Sequence, residues 1–595
     1  MSETNPYYFD PELRRRIESL LLPDIQMPGQ YIGGEQGTVV KRAELVRGRL
    51  CFAFPDLYTI GMSHYGLQLL YAIMNRREDW ACERVFTPGV DMEQLLRDHD
   101  LPLYSLETFT PLNRFDVLSF TLQYELCCTN VLTMLDLGRI PIRSENRTMQ
   151  HPLVIAGGPV VFNPEPMSPF IDLFIVGDGE ESLPAVCDAW LEMKQANCSR
   201  EEALLEIGRR FHYVYVPQFY HVDFDRNGRC GKPKPIHAGL PERITPAIVS
   251  DIDAFGSPEF PIIPLIESVQ DRVAVEIMRG CPGACRFCQS TVQKAPIRIR
   301  SVESIVEAAK TACENTGVRE VSLLSLSSSD YPHFDELMRQ IHEKLTPLGI
   351  SVSVPSLRVN HQLSSVMQSL TTERTSGITI APEAARDEMR KRILKQVTHE
   401  NLIEGCQSAF ENGFSRVKMY FMCGLPRETE DDINGIIELS EEIAFLGKRV
   451  TKRFPAIVAS VSNFIPKPQT PLQWLGMQSE EYFSDVHYRL RTAKHLRCVQ
   501  VKYHGLKTSL LEGLLSRGDR RMGQVIETAW RNGARLDAWR EHFQNDLWLN
   551  AVEQCGVNTG QVMFEPYAIS DELPWSHIGT CRPIMPPRWM VEMEE

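Results

Sequence analysis

Three cysteines are spaced so that one inorganic centre can draw on all of them. The chain reads Arg279-Gly280-Cys281-Pro282-Gly283-Ala284-Cys285-Arg286-Phe287-Cys288, a Cys-x3-Cys-x2-Cys loop whose glycines and proline permit a tight wrap. Thiolates select soft metal centres. A structural zinc site needs four ligands, yet no histidine lies between residues 271 and 300, and the next cysteine, Cys313, falls on the face of a periodic helix. A [4Fe–4S] cluster accepts three protein thiolates when an exogenous ligand takes the fourth iron. A disulfide would leave one thiol over. The cluster is the leading reading and zinc the alternative.

The loop needs a rigid strand end to present it, and the surrounding pattern supplies one. Strand-length apolar runs recur at Val273–Met278, Val321–Leu326, Ile350–Val354, Ile378–Ala381, Val417–Met422 and Ile457–Phe464, with helical patterns between them. Examples are Val302–Cys313 and a helix opened by the capping-box-like Thr429-Glu430-Asp431-Asp432. Six such units predict a partial (β/α)6 TIM-type barrel over residues 269–474, a fold that gathers chemistry at the C-terminal ends of its strands. An earlier strand–helix rhythm has runs at Leu50–Phe54, Phe115–Thr121, Leu153–Ala156 and Leu173–Val176. The last two end in Gly157-Gly158-Pro159 and Gly177-Asp178-Gly179-Glu180. This predicts a doubly wound α/β domain over 46–200, with a ligand crevice at the strands' carboxyl ends. An entry segment (1–45), a linker (201–268) and a mostly helical C-terminal region (475–595) complete the expected organisation.

Composition limits the alternatives. With 595 residues, 43% of them hydrophobic, the chain has ample material for packed cores, and disorder is excluded. Its 63 basic and 77 acidic residues leave a net charge of −14, which argues against bulk electrostatic binding of nucleic acid. No apolar run reaches 18 residues and the N-terminus lacks a signal-peptide pattern, so a cytoplasmic protein without membrane contact is expected. The 16 cysteines then read as reduced thiols, Cys127 and Cys128 among them as ordinary helix-start residues.

The cysteine loop resembles the signature of the radical S-adenosylmethionine superfamily, Cys-x3-Cys-x-aromatic-Cys after the first barrel strand, with Phe287 in the aromatic slot. The resemblance implies that Cys281, Cys285 and Cys288 hold the cluster and that S-adenosylmethionine chelates the open iron. Electron transfer then releases a 5′-deoxyadenosyl radical. It further implies cofactor-binding roles for Asp330, at the end of Ser325-Leu326-Ser327-Ser328-Ser329-Asp330, for Glu383 after the fourth strand, and for Gly424 in Gly424-Leu425-Pro426 after the fifth. The serine run lacks the usual Gly-Gly-Glu, and its alternative reading is a helix N-cap. The N-terminal sheet resembles the cobalamin-binding domain that precedes many radical enzymes, with Gly157, Gly158, Gly177 and Gly179 placed to let backbone lie against a flat corrin; the competing reading is plain turn glycines. Asp-x-His-x-x-Gly is absent, so His64 is a lower axial ligand or, as the stronger reading, a polar residue starting a helix. The whole chain is similar to a cobalamin-domain subfamily without an assigned substrate. The stretches that carry this likeness include Tyr31-Ile32-Gly33-Gly34-Glu35, Phe464-Ile465-Pro466-Lys467-Pro468 and Ser516-Arg517-Gly518-Asp519-Arg520-Arg521.

The expected function is a radical enzyme that transfers a methyl group from cobalamin to a substrate. The alternatives are a radical rearrangement or RNA modification without methyl transfer, and a non-catalytic iron–sulfur protein. A reductant of the flavodoxin or ferredoxin kind is the implied partner. RNA, protein and small molecules all stay open as substrates, and no catalytic side chain is assigned. Arg517, Arg520 and Arg521 with Trp530 and Trp539 form a candidate RNA contact, weighed against a basic helix end and core tryptophans.

Overall fold

The computed structural model describes residues 10–20, 25–354 and 377–594. Its first unit is a six-stranded sheet of β1 (Gly48–Phe54), β2 (Trp80–Phe86), β3 (Val117–Thr121), β4 (Leu153–Gly157), β5 (Leu173–Ile175) and β6 (Val214–Tyr215), in the order β2-β1-β3-β4-β5-β6. All neighbours are parallel except β5 and β6. Register sets Leu50 between Cys82 and Val117. Every residue of β1 and of β3 is buried, as expected of a parallel sheet covered on both faces. The strand order reverses direction between β1 and β3, which is where such a sheet opens a crevice.

Strand β2 escapes the sequence pattern because Glu83 and Arg84 interrupt its apolar run. Both are buried and paired. Arg84 contacts Glu107 at 2.6 Å and Glu35 at 3.2 Å with all three side chains fully enclosed, while Glu83 pairs with Arg49. Tyr58 also donates to Glu35, at 3.1 Å, so the Gly33-Gly34-Glu35 stretch of the entry segment is fastened to the sheet by charge. The expected boundary at residue 200 cuts this unit short. The helix Arg200–Arg210 and β6 complete it, and Ala247 bridges back to Gly177.

The second unit holds two parallel sheets. One contains β7 (Val273–Glu276), β8 (Glu320–Leu324) and β9 (Ser351–Ser353) in the order β9-β8-β7; the other runs β10 (Ile378–Glu383), β11 (Arg416–Cys423), β12 (Ala456–Asn463) and β13 (Val499–Tyr503). The partial barrel is therefore present, and it extends further than the six strands expected. Parallel β13 pairs with β12 inside the region read as helical, where its polar Gln500 and Lys502 hide the apolar run. Between strands, the helix Val302–Thr316 starts on the Ser301 cap and stops at Gly317, whose φ of 79° suits glycine. The helix Glu430–Thr451 opens on the expected Thr429–Asp432 capping box.

The C-terminal helices pack on both units. Lys467 is the seam between them. Its ammonium reaches Glu125 after β3 at 2.7 Å, Glu512 at 2.7 Å and Ser516 Oγ at 2.8 Å. No helix among the described residues is long and apolar enough to cross a membrane. Replacing Arg84 by Met strands two buried carboxylates, and breaking a buried ion pair from one side costs about 3–5 kcal/mol. We expect the first unfolding transition in guanidinium chloride to move to lower denaturant, with Arg47→Met, an exposed-pair control, shifting it little.

Candidate active site

The cysteine loop leaves β7 through Met278–Arg279, which pairs antiparallel with Arg298–Ile299. Gly280 turns the chain with φ at 95°, and any Cβ there would stand 2.8 Å from the Lys294 carbonyl. Within the loop the Gly283 amide points to Cys281 Sγ at 3.4 Å, and the Cys288 amide donates to the Cys285 carbonyl at 3.1 Å. Cys281 and Cys285 are buried and Cys288 half-buried, all three outside any disulfide. Burial pushes the Cys288 thiol up, with the charges of Cys281 and Glu383 adding to the effect.

The loop is sewn to the rest of the second unit. Arg286 donates from its amide to the Ile393 carbonyl at 3.0 Å and from its guanidinium to the Arg392 carbonyl at 2.5 Å. Gln289 donates to the Pro468 carbonyl at 2.9 Å, and Arg582 reaches the Gly283 carbonyl at 3.5 Å. Phe287 packs against the cluster of Ala384, Met389, Leu425 and Trp474, giving the loop an apolar backing. Among the described residues no three His, Cys, Asp or Glu side chains gather around a single metal ion. Three free thiols on one largely buried loop are the donor set that a [4Fe–4S] cluster takes when an exogenous ligand completes it.

Two of the other expected residues face this loop or its neighbourhood. Glu383 sits at a bulge in β10 with φ at 67°; burial raises its carboxyl, Lys395 Nζ approaches to 3.2 Å, and its charge is felt at Cys288. Gly424 has φ at 84° and no room for a Cβ, which would lie 2.7 Å from Phe483. Its amide donates to Glu428 at 2.6 Å, and Tyr482 donates to the same oxygen at 2.5 Å. Asp330 ends a 3-10 turn, Ser328–Asp330, and accepts from Ser327 Oγ at 2.6 Å. The serine run is thus a self-bonded turn after β8; the N-cap of the next helix is His333, which corrects the alternative reading.

A cavity of about 390 Å³ opens at the carboxyl ends of β1, β3, β4 and β5. Its floor is lined by Gly157, Gly158, Gly177 and Gly179, and its opposite wall by Glu276, Arg279, Ser290, Gln293 and Lys294 from the cysteine-loop stretch. The four glycines differ in why they are glycine. Gly158 and Gly177 have φ of 101° and 109° and abut backbone oxygens, so the turn itself demands them. A Cβ on Gly179 would crowd Leu70 at 3.0 Å. Gly157 alone has room, its Cβ position meeting nothing closer than the Ile175 carbonyl at 3.7 Å.

Arg279 fastens the two walls together. It contacts Asp178 at 3.1 Å, Glu180 at 2.6 Å and Glu276 at 2.8 Å, while Arg298 takes the other oxygen of Asp178. Burial opposes the charge on Asp178, yet Arg279, Lys294 and Arg298 together hold its carboxyl below the usual range. Gln293 adds a bond to the Pro159 carbonyl at 3.1 Å. None of these residues was singled out from the sequence; the only available signal was the position of Arg279 two residues ahead of Cys281.

His64 lines the same cavity but serves the fold. Its Nδ1 accepts from the Leu67 amide at 3.1 Å as a helix cap, and its side chain also bonds Gln123. Burial lowers it to about 4, so the ring is neutral. The basic–aromatic RNA contact is overturned. Arg517 is fully buried on the carbonyls of Gln473 and Val562, Arg520 pairs with Glu165, and Arg521 with Asp519. Trp530 donates to Thr133 and Trp539 to Asp56, both in the first unit. Cys127 and Cys128 are buried, as read.

A sheet with a glycine-edged crevice is set against a barrel-like unit that carries the three-cysteine loop. The chain belongs to the radical SAM superfamily: residues 275–440 match the model described as Radical SAM superfamily, and residues 66–217 match Radical SAM proteins, N-terminal. An uncharacterized protein of Methanocaldococcus jannaschii is 26% identical over 470 residues, which cover 78% of this chain and 91% of that one. An uncharacterized methyltransferase of Pyrococcus horikoshii is 22% identical over 301 residues, 49% of this chain and 58% of the relative. Among solved structures, the radical S-adenosylmethionine methyltransferase TsrM of Kitasatospora setae, with cobalamin and a [4Fe–4S] cluster bound, aligns with a TM-score of 0.46 at 12% identity, over 72% of this chain and 77% of that one.

The brace behind Gly424 gives the site a pH signature. Burial lifts Glu428 from 4.5 to about 7, against the hydrogen bonds from Tyr482 and Gly424. Between those values the folded protein binds more protons than the unfolded chain, so stability falls as pH rises through the window. Glu428→Gln removes that contribution. We expect the melting temperature of the wild type, relative to the Gln variant, to drop by a few degrees between pH 5 and pH 8.

Proposed function

We propose that this protein is a radical S-adenosylmethionine enzyme that transfers a methyl group through a corrinoid held in the glycine-edged crevice. The observation that carries the reading is the shared wall: the cavity cut by the first sheet is closed by Glu276, Arg279, Ser290, Gln293 and Lys294, the stretch that also carries the three cysteines. A methyl carrier on one side and a radical source on the other would then face a common substrate. The methyltransferase name of the Pyrococcus horikoshii relative supports the same chemistry.

In this reading Cys281, Cys285 and Cys288 hold a [4Fe–4S] cluster, and Phe287 excludes water behind them. When bound, the cluster supplies an open iron and an electron to the sulfonium of S-adenosylmethionine, and the corrinoid supplies a methyl carrier. Glu383, whose charge is felt at Cys288, offers a carboxyl on the cofactor side, and the Gly424 turn, braced by Glu428, lets backbone approach it. His64, whose Nδ1 caps the helix Tyr65–Arg76, would serve the crevice as part of its scaffold. The crevice, about 390 Å³, is open on one side, so a ligand as large as a corrinoid would extend beyond its mouth. An external low-potential donor of the flavodoxin or ferredoxin kind completes the system.

Anaerobically reconstituted protein should cleave S-adenosylmethionine under reduction to 5′-deoxyadenosine, and methyl transfer should add S-adenosylhomocysteine. Alanine at all three cysteines should abolish the brown absorbance and both products; a triple variant that keeps them overturns the cluster assignment. 5′-Deoxyadenosine alone, from enzyme loaded with corrinoid and with turnover of a physiological substrate, would point instead to a radical rearrangement. Gly157→Leu tests the crevice more cleanly than any change at Gly158, because position 157 tolerates a side chain. The Leu variant should fold and keep its cluster yet lose hydroxocobalamin on gel filtration.

A further inference from the structure

Every carboxylate on the crevice wall has its charge answered. Asp178 binds Arg279 and Arg298, Glu180 binds Arg279, and Glu276 binds Arg279 through both oxygens. Lys294 is different. It lines the cavity, half-buried, and its ammonium makes no hydrogen bond or ion pair among the described residues; Asp178 and Glu276 feel its charge only at longer range. An ammonium has three donors and no acceptor, so three strong donors point into partly enclosed space.

The backbone that carries this side chain is fixed on both sides. The Lys294 carbonyl accepts from Arg298 at 3.1 Å and sits against Gly280, where any added Cβ would be 2.8 Å away. Its neighbour Gln293 is tied across the cavity to Pro159 at 3.1 Å. Lys294 is therefore pre-positioned on the wall facing the glycine floor, six residues beyond Cys288 in the chain.

We infer that Lys294 is the binding residue for an oxyanion of the molecule held in this crevice. A compact point charge with rotatable donors suits a phosphate or carboxylate, and a partly desolvated charge-assisted bond is worth about 1.5–3 kcal/mol, or roughly 10–100-fold in affinity. The oxyanion has two chemical sources: the phosphodiester in the nucleotide tail of a corrinoid, or an acidic group on the substrate. The first source rests on the proposed corrinoid reading; the second does not.

The test compares wild type, Lys294→Gln and Lys294→Arg, each reconstituted with its cluster and checked for equal brown absorbance. Affinities are measured by absorption titration with hydroxocobalamin and with aquacobinamide, which lacks the tail phosphate, and by the thermal shift that inorganic phosphate produces. A tenfold or greater loss for hydroxocobalamin in the Gln variant, with cobinamide unchanged and the Arg variant largely restored, assigns the tail phosphate. Unchanged corrinoid binding, together with a phosphate stabilisation present in wild type and lost in the Gln variant, assigns a substrate oxyanion. Equal weakening toward both corrinoids overturns the inference, because Lys294 would then be serving the corrin ring. A Gln variant that matches wild type in all three titrations overturns it as well. Should wild type bind neither corrinoid, the corrinoid reading falls while the phosphate comparison still decides the role of Lys294.

Discussion

One guanidinium touches three carboxylates from two folding units, and the geometry of the site follows from it. Arg279 lies between the end of β7 and the first cysteine, so whatever holds Arg279 holds the loop. Asp178 and Glu180 come from the glycine turn of the first sheet, and Glu276 from the strand that launches the loop. Charges this enclosed are stable only when their partners stay in place. The two enclosed ion pairs from Arg279 to Asp178 and to Glu180 therefore tie the crevice floor to the strand end that launches the cysteines.

Around that fixed separation the two units divide the labour. The first sheet offers backbone: turns at Gly158 and Gly177 that no side chain can occupy, and one position, Gly157, left open toward the cavity. The second unit offers side chains: the thiols of its loop and, six residues on, Lys294 at the cavity. The C-terminal region binds to both: Glu512 and Ser516 meet Lys467 of the second unit, Arg517 takes the Gln473 carbonyl, and Arg520 pairs with Glu165 of the first, cations whose burial would be costly without these partners.

The parts legible in the sequence were those written in a local pattern. The cysteine spacing, the glycine turns and the capping box at Thr429 each need only neighbours within a few residues, and the parallel strands announce themselves as apolar runs. What escaped was written in pairs distant along the chain. Strand β2 was hidden because Glu83 and Arg84 look solvent-exposed until Arg49 and Glu107 are placed beside them. The arginines near residue 520 suggested an exposed basic patch, because nothing local shows that Glu165 lies against Arg520. The same blindness applies to Arg279, two of whose three partners, Asp178 and Glu180, lie about a hundred residues upstream.

The hydrogen bond from Arg582 to the Gly283 carbonyl has a consequence for how the molecule is made. These residues lie 299 positions apart, and the segment around Trp575–Ile578 that Gln469 anchors reaches the site along with Arg582. Ribosomal elongation at ~5–20 residues per second therefore leaves the cysteine loop without its cover for roughly 15–60 s after it emerges. Synthesis itself opens a period in which the loop stands without this contact, and the arrival of the segment around Arg582 brings it to a close.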